Sequence, residues 1–123
     1  MTSILLAVLL AAEGFIAVPP VVQTVKAPEP AVIEHRLTAY SCFDEACVTA
    51  SGAKGGPGMV GVPLEGPAAY PLGTILEIEG IGPVVVADRC PGCEGYWLDV
   101  WQPSREAEIQ FGSQYRAVRV LQE

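Results

Sequence analysis

Positive charge is scarce in this chain of 123 residues: 7 lysines and arginines face 14 aspartates and glutamates, a net charge of −7. That balance disfavours a nucleic-acid partner, because a phosphate backbone demands a basic footprint. It disfavours anionic lipid for the same reason and leaves a neutral or sugar-like ligand open. Charged residues of both signs amount to only 17%, against 50% hydrophobic, so the chain is neither disordered nor collagen-like. No internal repeat is visible, and the length allows one domain. Glycine (13) and proline (11) together fill about a fifth of the chain, which favours a turn-rich β protein over a helical bundle.

The N-terminus lacks the basic residues of a standard export signal. Met1-Thr2-Ser3 carries no lysine or arginine, yet an unbroken apolar run follows from Ile4 to Ala12. A membrane-spanning helix needs about 20 apolar residues, and Glu13 with Pro19-Pro20 interrupts that span. Residues 1–22 are therefore expected to be an apolar leader that exports the chain or attaches it to a membrane, with a buried or virion-packed arm as the alternative. Residues 23–35, containing Pro28-Glu29-Pro30, have no hydrophobic period and are expected to form an extended tether. Residues 36–123 hold the folded domain.

Four cysteines fall in two pairs, Cys42/Cys47 and Cys90/Cys93. An even count in a small, exported domain predicts two disulfides and an oxidising compartment, with three connectivities open. A four-thiolate zinc site and free thiols are the alternatives, although 42 residues between the pairs exceed the usual zinc-ribbon spacing. No metal and no cofactor is expected.

From Arg36 the pattern alternates short strands with glycine-rich turns. Strands are predicted at Arg36–Tyr40, Met59–Val62, Thr74–Glu79, Val84–Ala87, Leu98–Trp101 and Ala117–Leu121. One helix is predicted after Pro103, with Ser104 as N-cap, Glu106 in its first turn and Gly112 as its stop. Six short strands and one helix predict a small closed β-barrel.

Aspartate is scarcer still, occurring only as Asp44, Asp88 and Asp99. Asp44 reads as a solvated turn residue. Asp88 ends the most hydrophobic strand, and Asp99 lies inside Leu98-Asp99-Val100-Trp101. Apolar neighbours strip water from a carboxylate and favour its protonated form, as a general acid working on a glycosidic oxygen requires. The competing reading has each aspartate accepting backbone N–H bonds at a turn. The catalytic reading requires Asp99 to face a sugar-sized cleft rather than the outer wall.

Read in order, Thr38-Ala39-Tyr40, Thr49-Ala50-Ser51-Gly52, Tyr70-Pro71-Leu72-Gly73-Thr74, Ala87-Asp88-Arg89, Leu98-Asp99-Val100-Trp101, Glu106-Ala107 and Phe111-Gly112 resemble the 3D (three-aspartate) domain. That double-psi β-barrel family is related to the MltA-type lytic transglycosylases. The resemblance covers about Arg36 to Leu121 and implies a mainly-β, six-stranded double-psi barrel with one short helix. It implies a cell-wall protein that cleaves the β-1,4 bond between N-acetylmuramic acid and N-acetylglucosamine of peptidoglycan, leaving a 1,6-anhydro product. Asp99 matches the catalytic acid/base and Asp88 its supporting carboxylate. Thr38, Tyr40, Thr49, Ser51, Gly52, Arg89 and Trp101 are the matching substrate-binding candidates, and Tyr96 and Trp97 are further sugar-stacking candidates. Arg89 is expected either to turn inward beside Asp88 or outward toward a ligand carboxylate.

Two departures supply the alternative. The family's first aspartate has only Glu65 in its place, and Asp88-Arg89-Cys90-Pro91-Gly92-Cys93 resembles instead the RlpA/expansin-like barrels, many of which bind cell-wall glycans. The alternative is a non-catalytic glycan-binding or phage/envelope structural module on the same barrel. Either way, the expected location is exported, extracytoplasmic or envelope-associated, or virion-associated for a phage protein. The sequence carries no signature of an oligomeric state.

Overall fold

The structure, a computed structural model, describes residues 30–42, 44 and 46–123. The leader and most of the tether lie outside the described residues. Six strands and a helix follow in the order β1 (Ile33–Ser41), β2 (Met59–Val62), β3 (Ile75–Ile78), β4 (Gly82–Arg89), β5 (Trp97–Gln102), α1 (Arg105–Phe111) and β6 (Gln114–Gln122). All six strands appear where alternation placed them. β1 begins at Ile33, inside the span read as tether, and β4 and β6 also outrun their predicted cores.

The strands close into a barrel in the order β1-β5-β2-β4-β3-β6. Two neighbouring pairs are parallel, β1 with β5 and β2 with β4; the other four are antiparallel. β2 and β3 therefore run antiparallel to each other with β4 between them, and β5 and β6 flank β1 in the same way. These are the two psi motifs of a double-psi barrel. Exchanging β1–β3 with β4–β6 leaves every pairing unchanged, so the fold has an internal two-fold in its topology.

Alternation supplies the core. Leu37, Val60, Val62, Leu76, Ile78, Val84, Val86, Leu98, Val100 and Val118 pack inside the barrel. Burying each such side chain contributes about 1.5–3 kcal/mol. An exposed ion pair such as Arg119–Glu77 (2.7 Å) adds at most about 1 kcal/mol, so apolar burial dominates.

Helix α1 follows its sequence signals. The Ser104 hydroxyl accepts from the Ala107 N–H (3.0 Å), and Gly112 ends the helix at φ 63. No residue of so short a helix is buried, so its stability comes from resting on β1 and β5. Among the described residues no helix is long and apolar enough to cross a membrane.

The cysteines form two local disulfides, Cys42–Cys47 and Cys90–Cys93. This excludes the zinc and free-thiol alternatives and fits an oxidising, extracytoplasmic setting. The first bridge closes a loop that packs on Trp101. A Cβ at Gly55 would stand 2.8 Å from Cys47 Sγ and 2.9 Å from Trp101 Nε1, so glycine is required there.

His35 points into the barrel and is buried. Its Nδ1 lies 2.9 Å from the Ile33 carbonyl and its Nε2 2.9 Å from the Tyr70 hydroxyl. Burial lowers its pKa, only partly offset by the Ile33 contact. The neutral ring is favoured in the folded state, so the unfolded chain binds more protons as pH falls below about 6.5. Stability is then complete above the unfolded value and declines on acidification, by at most about 1.4 kcal/mol per pH unit. Urea denaturation at pH 7.5 and pH 5 should show this loss, and His35→Gln should remove most of it. An equal pH dependence in both proteins would contradict the assignment.

Candidate functional site

Pairing register builds the site. Thr38 of β1 lies opposite Asp99 of β5, Asp99 opposite Gly61 of β2, and Gly61 opposite Asp88 of β4. Directly paired residues share a face, so the four form one row across adjacent strands. Leu98 and Val100 point into the core, which turns Asp99 outward.

Strict alternation from Val84 and Val86 would turn Asp88 into the barrel. It does not, because the β2/β4 register slips: Val60 pairs with Val86 but Gly61 pairs with Asp88. Ala87 is the extra residue of a β-bulge, and the bulge re-aims Asp88 onto the outer face. The internal two-fold makes Gly61 the counterpart of Asp99, so one half of the barrel carries a carboxylate where the other carries no side chain.

The two carboxylates are held differently. Asp88 Oδ1 accepts from the backbone N–H of Ala50 (3.1 Å) and of Arg89 (2.9 Å), and its Oδ2 accepts from the Tyr40 hydroxyl (3.2 Å). Asp88 thus fits the turn-capping reading. Among the described residues Asp99 Oδ1 accepts only from the Thr38 hydroxyl (2.9 Å), while Thr38 Oγ1 itself accepts from Trp97 Nε1 (2.8 Å). No main-chain amide among the described residues ties Asp99 down.

Burial raises the Asp99 pKa; the Thr38 hydrogen bond pulls it down, and the negative charges of Glu108 and Asp88 push it up again. Glu108 projects from α1 and accepts from the Ser41 hydroxyl (2.7 Å). Tyr40 is pushed far above the ordinary tyrosine value by burial and then by Asp88. Its phenol starts on β1 and its hydroxyl reaches Asp88 of β4.

Asp99 therefore lies on the outer wall, half-buried beside Thr38 and α1. The condition of the catalytic reading, a sugar-sized cleft at Asp99 rather than the outer wall, is not met. A cavity of about 500 Å³ lies elsewhere, between β3 and β6 with Ile81 and Val32 at its edge, and holds none of the predicted site residues.

The other predicted residues divide. Thr49 Oγ1 pairs with Ser51 Oγ (2.8 Å) and donates to the Ala53 carbonyl (2.7 Å), while Gly52 takes φ 90. Ser51 N–H donates to the Ala87 carbonyl (2.9 Å) at the bulge. These three residues fold the loop that delivers the Ala50 amide to Asp88. Arg89 takes neither expected orientation: its Nη1 donates to the Tyr70 carbonyl (2.8 Å), clamping the loop before β3. Trp101 is buried, its Nε1 donating to the Cys42 carbonyl (2.7 Å), so it supports the disulfide loop and offers no ring face to a ligand. Tyr96 packs edge-on against His35. Asp44 is the exposed turn residue expected, its Oδ1 accepting from the Ala46 N–H (3.0 Å). Glu65, the stand-in for the family's first aspartate, is exposed and borders a separate cavity with Pro91 and Cys93.

The sequence reading missed Gly61 and Glu108. A glycine inside Met59-Val60-Gly61-Val62 is the one available signal, because strand glycines mark bulges or close approach. Among the described residues no group of three or more histidine, cysteine, aspartate or glutamate side chains is placed to hold a metal ion. No known protein family matches the chain, and no curated protein matches it either.

The Thr38 hydroxyl favours the charged form of Asp99. Thr38→Val should therefore raise the Asp99 pKa further, read by carboxyl carbon NMR titration. It should also cost about 1–3 kcal/mol of stability by leaving the Trp97 N–H without its acceptor. A downward or absent pKa change would refute the geometry.

Proposed function

We propose that this protein is a non-catalytic module that holds a cell-wall glycan on the outer face of the barrel. The observation that carries this reading is the outward row itself: Thr38, Asp99 and Asp88 stand on the outer wall beside Trp97, with Asp88 held by three hydrogen bonds. The Asp88-Arg89-Cys90-Pro91-Gly92-Cys93 resemblance to the RlpA/expansin-like barrels supports the same assignment.

The second reading is a peptidoglycan-acting, lytic transglycosylase-like enzyme that cleaves the bond between N-acetylmuramic acid and N-acetylglucosamine. In it the Asp99 carboxyl, its pKa raised by burial, gives its proton to the glycosidic oxygen as the C1–O bond breaks. The sugar's own C6 hydroxyl then bonds to C1, and its proton passes to the Asp99 carboxylate. The acid is regenerated, and because the nucleophile belongs to the substrate no second carboxylate has to activate water. Asp88, fixed by two amides and a phenol, supplies negative charge facing the positive charge that builds on the ring. Only the acid form of Asp99 starts the reaction, so the rate falls as pH rises through its raised pKa.

The observation that favours the enzyme reading is Asp99, half-buried, with a raised pKa and a single hydroxyl on its Oδ1 among the described residues. Incubation with purified sacculi separates the two. The enzyme reading expects 1,6-anhydro-muropeptides from wild type and at least about a hundredfold less from Asp99→Asn, the usual scale of a general-acid contribution, with melting temperature preserved. Co-sedimentation with sacculi and no product between pH 4 and 8 selects the binding module.

A further inference from the structure

Most cationic side chains of the described residues are committed to the fold. Arg89 holds the Tyr70 carbonyl, Arg105 pairs with Glu108, Arg116 donates to Gln114 and the Glu79 carbonyl, and Arg119 pairs with Glu77. Arg36 and Lys54, the latter in the loop after β1, are the exceptions. Arg36 Nε donates to the Ser113 hydroxyl (3.3 Å), its guanidinium carbon lies 4.1 Å from the centre of the Trp97 ring, and its two terminal nitrogens have no partner among the described residues.

The position of this stack gives it meaning. Arg36 pairs with Trp97 across β1 and β5, two residues before Thr38 pairs with Asp99 in the same parallel ladder. Both pairs therefore face outward, about 7 Å apart along the strands. The Trp97 N–H bond to Thr38 fixes the ring, and the ring and Ser113 fix the guanidinium. A planar guanidinium held this way presents its free N–H groups as a fork suited to a carboxylate. The same outer stretch carries the acidic residues Asp99, Asp88 and Glu108.

The geometry points to the Arg36–Trp97 stack as a carboxylate-recognition subsite beside Asp99. On the glycan reading proposed above, from which this follows, the protein takes a sugar chain bearing a carboxylate next to the bond over Asp99, in preference to a neutral N-acetylglucosamine chain.

The test measures calorimetric affinities of the full chain, in an Asp99→Asn background to prevent turnover. Three ligands are compared: a peptidoglycan tetrasaccharide with free carboxylates, the same molecule with its carboxylates amidated, and chitotetraose. The subsite predicts about tenfold tighter binding of the free acid than of the amide, the scale of one charge-assisted hydrogen-bond pair. Arg36→Gln should bring the two within about twofold while leaving chitotetraose unaffected, and Arg36→Lys should fall between, because lysine keeps the charge and loses the fork. Equal affinity for acid and amide, or a preference that survives Arg36→Gln, overturns the subsite and leaves the glycan reading standing. Absence of binding to all three glycans overturns both.

Discussion

The site depends on a one-residue slip between two parallel strands. Without the bulge at Ala87, Asp88 would continue the inward face begun by Val84 and Val86, and a carboxylate would enter an apolar core. With it, Asp88 joins Thr38, Asp99 and Gly61 in one outward row. The core residues on either side are undisturbed, so the barrel carries the irregularity without losing apolar burial. The loop from Thr49 to Ala53 then folds against the bulge, with Ser51 N–H on the Ala87 carbonyl and the Ala50 amide on Asp88. Barrel and loop fix each other at the place where the acidic groups meet.

Around that row the two carboxylates meet different environments. Asp88 accepts from three donors. Asp99 Oδ1 accepts from one hydroxyl, and burial raises the Asp99 pKa, a shift that the Thr38 hydrogen bond opposes and that Glu108 and Asp88 reinforce. The aromatic residues differ as well. Trp101 is consumed by the disulfide loop, whereas Trp97 lies on the open face between Arg36 and Thr38.

Much of the fold was legible in the sequence because its signals are local. Leu76 and Ile78 alternate with Glu77 and Glu79, Ser104 and Gly112 punctuate the helix, and the apolar run at Val84 marks a buried strand. Closure was read from the count of strands, and the double-psi expectation came from motif resemblance; the strand order and the two parallel pairs are long-range properties that were not read. The site was legible in part. Asp99 and Thr38 were named and are in contact, and Tyr40 was named and reaches Asp88. Trp101, Arg89, Thr49 and Ser51 share the motifs but build the scaffold. Residue type does not reveal whether an indole N–H will find a carbonyl above it or a guanidinium a carbonyl beside it. Glu108 was invisible because its relation to Asp99 depends on where a two-turn helix docks, and Gly61 was passed over because a strand glycine has no side chain to draw attention.

The central claim is that a glycan lies over the Thr38–Asp99–Gly61–Asp88 row and not in the cavity between β3 and β6. Amide NMR mapping during titration with a peptidoglycan oligosaccharide tests this most directly. The account predicts shifts concentrated at Thr38, Ala50, Gly61, Asp88 and Asp99, extending to Trp97. Shifts confined to Glu79–Gly82 and Ala117–Arg119, around the β3–β6 cavity, would contradict it.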